Sequence, residues 1–181
     1  MFDWLINRAK RTPYRHLDGY MNRYWLVPYN HVVERQVPDA EFTRLFGIPS
    51  FRVFTDGTGP VTWRRPIARL LQKLGIAVRI HEILRSDLGR DPHDHPFNYL
   101  TVILKGGYFE SRYNDRGEFL GAKFHGPGSV LYRPAGSWHR LDVPNGMTVT
   151  TLFITSKYVG TWGFNVKGKK VPHDEYDRSG S

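Results

Sequence analysis

The 181-residue sequence predicts an all-β-dominated fold, with antiparallel strands forming a sandwich or small barrel behind an N-terminal α/β extension. Three observations carry this. From Ala77 onward, apolar and polar residues alternate with a period of two, the mark of half-buried strands. Turn-forming residues interrupt that alternation every 8–12 residues or so, the spacing of about one strand and its connection. A hydrophobic fraction of 40% over 181 residues supplies one real core and leaves too little chain for two full domains.

The elements follow in order. Phe2 to Ala9 has the pattern of one or two amphipathic helical turns. Residues 20–29 (YMNRYWLVPY) read as an extended, aromatic-rich segment ending at Pro28. Asp39 can cap a short helix reaching Phe46, with Glu34 and Glu41 nearby. Phe51 to Thr55 alternates as a short strand, and DGTGP over 56–60 marks a loop. Trp63, Ile67, Leu70, Leu71 and Leu74 fall on one apolar face of a helix, with Pro66 in its first turn and Gly75 as its C-terminal cap. The opposite face carries Arg64, Arg65, Arg69 and Lys73. The strands are then AVRIHEILRS, FNYLTVILKGGYFESRY, FLGAKFHG, SVLYRP, HRLDV and TVTTLFIT, with turns at NDRG (Asn114 to Gly117) and HGPG (His125 to Gly128). Gly106–Gly107 and Gly126–Gly128 fit turns or bulges and not phosphate cradles, because no helix follows them. The organisation expected is an extension over 1–75, a barrel over 76–166 and a polar tail over 167–181 whose final RSGS has no pattern of fixed structure.

Composition narrows the chemistry. The chain has no cysteine, which excludes disulfides, thiolate metal sites and cysteine nucleophiles, so a metal must be held by His, Asp, Glu, backbone or water. Lys plus Arg number 26 against 17 Asp plus Glu, a net +9 that favours anionic partners. The basic helix face raises nucleic acid as a partner, against which stands the lack of a helix-turn-helix, RNA-binding or zinc-finger signature. A membrane helix needs about 18 continuous apolar residues and no run reaches that length. The opening MFDWLINRAKRT lacks the pattern of a secretory signal. The expectation is a soluble, cytoplasmic protein with no membrane partner.

Three histidines of the β region stand apart. His93 and His95 flank Asp94 in DPHDHP, and in an extended segment residues two apart point to the same side. A third, His139, delivered from a strand across the barrel, completes a facial set that leaves coordination positions open. Here the sequence resembles the cupin superfamily. Its second motif is Gly, five residues, Pro, one residue, Gly, two residues, His. It is met by Gly128, SVLYR, Pro134, Ala135, Gly136, Ser137–Trp138 and His139. Its first motif, His-x-His followed by a Glu and later a Gly, is met by His93, His95 and Gly106 or Gly107. The resemblance covers residues 76–164 and implies a double-stranded β-helix, the jelly-roll barrel. Two departures matter. The expected Glu falls on Tyr99 or Leu100, and the Asn that usually follows the last histidine is Val143.

A ligand set of His93, His95 and His139 is therefore implied, as in three-histidine iron-dependent dioxygenases of the superfamily. Fe(II) leads, with Mn, Ni or Zn as alternatives, and Glu82 and Glu110 are the nearest carboxylates for a fourth ligand. A narrower similarity joins RIHEILRSDLGRDPHDHPFNYLTVILKGGYFE, RPAGSWHRLDV, TLFIT and WGF to small cupins common in tailed phages and prophages, whose HDHPW stands here as HDHPF (His93 to Phe97). It implies the fold and the metal site and names no reaction. Around the site, His81 or Tyr108 is the candidate acid or base. Arg79, Arg85, Tyr99, Arg133 and Trp138 are candidate substrate contacts. Alternation places Arg79, His81 and Arg85 on one side, so all three should share one environment. The functions in view are a metal-dependent oxygenase acting on a small, anionic substrate, a sugar or nucleotide isomerase–epimerase, and a non-catalytic module binding a sugar, nucleotide or partner. The resemblance also implies a homodimer through edge strands.

Overall fold

The structure, a computed structural model, describes residues 2–13, 16–27, 34–38, 51–55, 64–87 and 90–176. The expected helix from Asp39 to Phe46, the loop at 56–60, Trp63 and the RSGS end lie outside these residues. The extension comprises α1 (Asp3–Ala9), β1 (Met21–Val27), β2 (Glu34–Pro38), β3 (Phe51–Thr55) and α2 (Arg64–Leu74). The barrel strands are β4 (Ala77–Ile83), β5 (Tyr99–Lys105), β6 (Tyr108–Tyr113), β7 (Phe119–His125), β8 (Val130–Arg133), β9 (Trp138–Asp142) and β10 (Val149–Thr155), followed by a hairpin of β11 (Gly163–Val166) and β12 (Lys169–Pro172).

Every strand pair is antiparallel. One sheet has the order β1-β4-β10-β5-β8 and the other β7-β6-β9, while β2 pairs with β3 apart from both. The segment at His93 joins the outer side of β9 through an isolated bridge. With that segment counted as a strand, the first barrel strand lies beside the last. Apart from the β6–β7 hairpin, successive strands from β4 to β10 cross between the sheets, which is the jelly-roll arrangement of two interleaved Greek keys.

Alternation fills the barrel in a graded way. Ile83, Ile103, Tyr108, Leu131, Leu141, Val143 and Val149 form an apolar plug, with Met21 of β1 packed on it. Towards the other end the inward positions change character: Phe97, Tyr99 and Phe153 cluster there, and the three histidines lie beside them. The outer face of the first sheet is covered by α1, whose Ile6 and Ala9 pack with Tyr24, Ile80 and Leu104. β4 is thus buried on both faces, and the extension is part of the hydrophobic structure.

One expectation needs correction. The apolar stripe of α2 is not buried as its pattern suggests: Ile67, Leu70 and Leu74 are 40%, 56% and 56% exposed, and Ala68 is the buried position. Within the polar stretch after residue 166, Lys169–Pro172 pair with β11 and the Tyr176 ring stacks on Phe164 at 3.9 Å. Long polar side chains on a hairpin edge keep their charges in water while the backbone is satisfied by its partner strand.

Candidate metal centre

The two motif segments are stitched together by backbone. His93 and His139 exchange both N–H···O bonds, at 2.9 and 3.0 Å, so they are directly opposed and their side chains share one face. The turn before β9 is tied to the same segment. Gly136 N–H donates to the His95 carbonyl at 3.0 Å, and Ala135 N–H donates to Asn98 Oδ1 at 2.8 Å. Gly136 has φ +77, the left-handed conformation that this turn requires. Asp94, pointing the other way, is fully buried. It accepts from Gly163 N–H at 2.9 Å and pairs with Lys170 Nζ, anchoring the segment to the terminal hairpin.

The result is a triangle of imidazoles. Ring centroids lie 4.6 Å apart for His93–His139, 5.2 Å for His93–His95 and 5.3 Å for His95–His139. One nitrogen from each can be chosen so that all three lie within 4.8 Å of one another. Burial pushes the His93 pKa down to about 4, with Asp87 opposing and His139 and Arg90 assisting. Burial, then His93, His139, His81 and Arg79, drive that of His95 well below the usual value. Such rings are neutral near pH 7 and present lone pairs, the form in which imidazole binds a divalent metal.

Carboxylates stand behind two of the three rings. His139 Nδ1 is 3.1 Å from Glu110 Oε1. Burial alone would raise the Glu110 pKa, but hydrogen bonds from His139 and Arg133 overcome it and hold the carboxyl at about 2. The ionised acceptor requires Nδ1 to carry the proton, which leaves Nε2 of His139 to face the cluster. His93 Nδ1 lies 3.6 Å from Asp87 Oδ2. His95 has a different setting. It is partly buried among Phe97 (5.5 Å, stacked), Tyr99 (4.9 Å) and Phe153 (6.1 Å). These features fit a metal held by His93, His95 and His139.

The other candidates divide. Tyr99, one of the two positions on which the expected Glu falls, has its hydroxyl 3.4 Å from both ring nitrogens of His139. Burial, with Glu110 and Tyr108 adding to it, raises its pKa, so it remains a phenol donor. His81 is buried on the inward face of β4, stacked on Phe153 at 4.6 Å, with no hydrogen-bond partner for Nε2 among the described residues. Arg79 is inward with it, its guanidinium 4.8 Å over the Trp25 ring. Arg85 does not share that environment. β4 ends at Ile83, and Arg85 is exposed and donates to the Gly19 carbonyl at 3.1 Å. Arg133 is committed to Glu110 through Nε at 3.0 Å and through Nη2. Trp138, next to His139 on β9, faces away, donates to Asp115 Oδ1 at 3.1 Å and lies beneath Lys170. Tyr108 lies in the apolar plug, its ring 6.0 Å from that of His125.

Neither candidate for a fourth ligand belongs to the three-histidine group. Glu82 is on the outer face, bonded to Tyr24 and Lys10, and Glu110 bonds a histidine from behind. Sequence reasoning missed Asp87, Tyr20 and His125, the last with Nε2 3.4 Å from Glu110 Oε2. No spacing rule links these residues to the motifs, since their proximity arises from strand pairing.

No protein-family model matches the chain, and no curated protein sequence matches it. Among solved structures it is similar to oxalate oxidase, with TM-score 0.41 and 13% identity over 50% of this chain and 46% of that one. It is similar to the polyketide cyclase RemF from Streptomyces resistomycificus, with TM-score 0.42 and 19% identity over 56% and 65%. A tryptophan-to-tyrosine variant of Bacillus subtilis oxalate decarboxylase gives TM-score 0.46 and 12% identity over 82% of this chain and 28% of that one. The chain thus spans less than half the length of the oxalate oxidase it matches. By its own strand order, and by the pairing of the segments that carry His93 and His139, this chain has a jelly-roll fold.

Proposed function

We propose that this protein is a mononuclear non-haem Fe(II)-type oxygenase acting on a small, anionic substrate, its metal held by His93, His95 and His139. The observation that carries the reading is the convergence of three imidazoles, His93 and His139 buried and backed by carboxylates and His95 partly buried, with no carboxylate among the described residues joining the set. His93, His95 and His139 would hold a divalent iron there, which would supply binding and activation of dioxygen and a chelating substrate.

The chain's own residues do the rest. Glu110 and Arg133 hold His139 in one tautomer. Phe97, Tyr99 and Phe153 exclude water on the side of His95. Tyr99 offers an O–H donor beside His139, suited to an anionic oxygen of a substrate. His81 stays neutral because burial, then Arg23 and Arg79, disfavour its protonation, so it can accept a proton or a hydrogen bond within the barrel. Arg79, inward on β4, supplies positive charge for a carboxylate or phosphate.

The test is elemental analysis of protein purified without chelator, beside a His93→Ala/His139→Ala variant. Near-stoichiometric iron that vanishes in the variant supports the reading, and oxygen consumption with small carboxylates and phosphates then identifies the substrate class. Zinc or nickel in place of iron would favour isomerase chemistry, and no metal in either sample would leave a binding module.

A further inference from the structure

The carboxylates behind His93 and His139 come from different parts of the chain. Glu110 is a barrel residue. Asp87 lies between β4 and the His93 segment, and it is held partly from outside the barrel. Tyr20, in the turn before β1, donates its hydroxyl to Asp87 Oδ1. Asp87 Oδ2 accepts the Leu141 N–H at 2.9 Å and lies 3.6 Å from His93 Nδ1. The Asp87 backbone N–H in turn donates to the Leu141 carbonyl at 2.9 Å, two residues along β9 from His139. The guanidinium groups of Arg85 and Arg90 each lie 5.7 Å from the centroid of the Tyr20 ring.

We infer that Tyr20 is a positioning residue of the metal centre: through Asp87 it sets the orientation and tautomer of His93, which makes the N-terminal extension a working part of the site. The inference rests on the three-histidine reading above. A carboxylate anchored at one oxygen can turn about its terminal torsion, whereas one anchored at both has its plane fixed. With Tyr20 on Oδ1 and Leu141 N–H on Oδ2, the Asp87 charge stays directed at Nδ1 of His93. That favours the Nδ1–H tautomer and turns Nε2 towards His95 and His139. Removal of the Tyr20 hydroxyl frees Oδ1 and releases that constraint while leaving all three histidines in the sequence.

The extension contains its own control. Tyr24 donates to Glu82 Oε2 at 3.1 Å on the outer face of β4, a phenol–carboxylate bond that leads to no histidine of the triangle. Tyr20→Phe and Tyr24→Phe are compared in two measurements on the full chain. One is histidine-ring ¹⁵N–¹H correlation spectra of the metal-free protein, with His93 assigned through His93→Gln. The other is Co(II) titration followed by its visible absorption. Tyr20→Phe is expected to weaken Co(II) binding about tenfold or more, to shift the Co(II) bands and to turn the single Nδ1–H signature of His93 into a mixture. Tyr24→Phe is expected to lose thermal stability with none of these changes. Wild-type Co(II) affinity and His93 signals in Tyr20→Phe, or equal losses in both variants, would overturn the inference. Should Tyr20→Phe not fold, Asp87→Asn must produce the same weakening with Tyr20 in place, and unchanged affinity there is equally decisive against it. If the wild-type protein takes up no Co(II), the metal reading fails on its own, and the His93 ring signals still decide whether Tyr20 orients the imidazole.

Discussion

His93 is kept neutral by burial even though Asp87 faces it, and this has a measurable consequence. Its folded-state pKa of about 4 lies below its ordinary 6.5. As pH falls below about 6.5 the unfolded chain takes up a proton that the folded chain refuses until about 4. The metal-free fold therefore keeps its full stability above 6.5 and loses it across that window, by about 3 kcal/mol from this residue. His81 and His95, also lowered, act in the same sense. Urea unfolding of chelator-treated protein at several pH values should show this loss, and a shallower one in His93→Gln; a flat profile would contradict it. Glu110 contributes in a lower range, its stabilisation present above 4.5 and lost as pH falls towards about 2. Glu110→Gln should weaken metal binding roughly 10–100-fold in a competition titration, because the amide releases the His139 tautomer and leaves Arg133 without its ion pair. At this scale the three histidines were legible from their motifs. Glu110 was visible only as a nearby carboxylate, because nothing local states that β6 lies beside β9.

At the scale of elements, the hairpins carry the constraint. Gly106, at the β5–β6 turn, has φ +67, and a Cβ there would meet the Thr148 carbonyl oxygen at 2.4 Å. Gly136, in the turn that presents His139, has φ +77 with nothing within 4 Å of an added Cβ. Gly106→Ala should therefore cost about 3 kcal/mol, from left-handed strain plus a backbone clash, and Gly136→Ala about 1 kcal/mol, from conformation alone. Thermal melts that rank the two variants equally would refute the distinction. The strands were legible because alternation and turn residues are local. The terminus of β4 was not, and with it went Arg85: a pattern continued two residues too far places a surface arginine inside the barrel. Trp138 was misplaced for a related reason, since adjacency to His139 along a strand means the opposite face.

At the scale of the whole molecule, the site joins β9, the His93 segment and the extension, so a metal bound there should brace all three. Divalent metal at about 100 times its dissociation constant should stabilise the fold by about 2.7 kcal/mol. The rise in melting temperature should disappear in His93→Ala/His139→Ala; equal shifts in both proteins would place the ion elsewhere. What the sequence determined by itself was local and periodic: a barrel of short antiparallel strands, its turns, and a shared direction for His93 and His95. What only the tertiary structure decided was facing and company: that Glu110 and Asp87 back the histidines, that Arg133 is spent on Glu110, and that Tyr20 reaches the site. The physical reason is that alternation says which residues point together, whereas the partner across a sheet, and the layer covering its far side, depend on strand order over the whole chain.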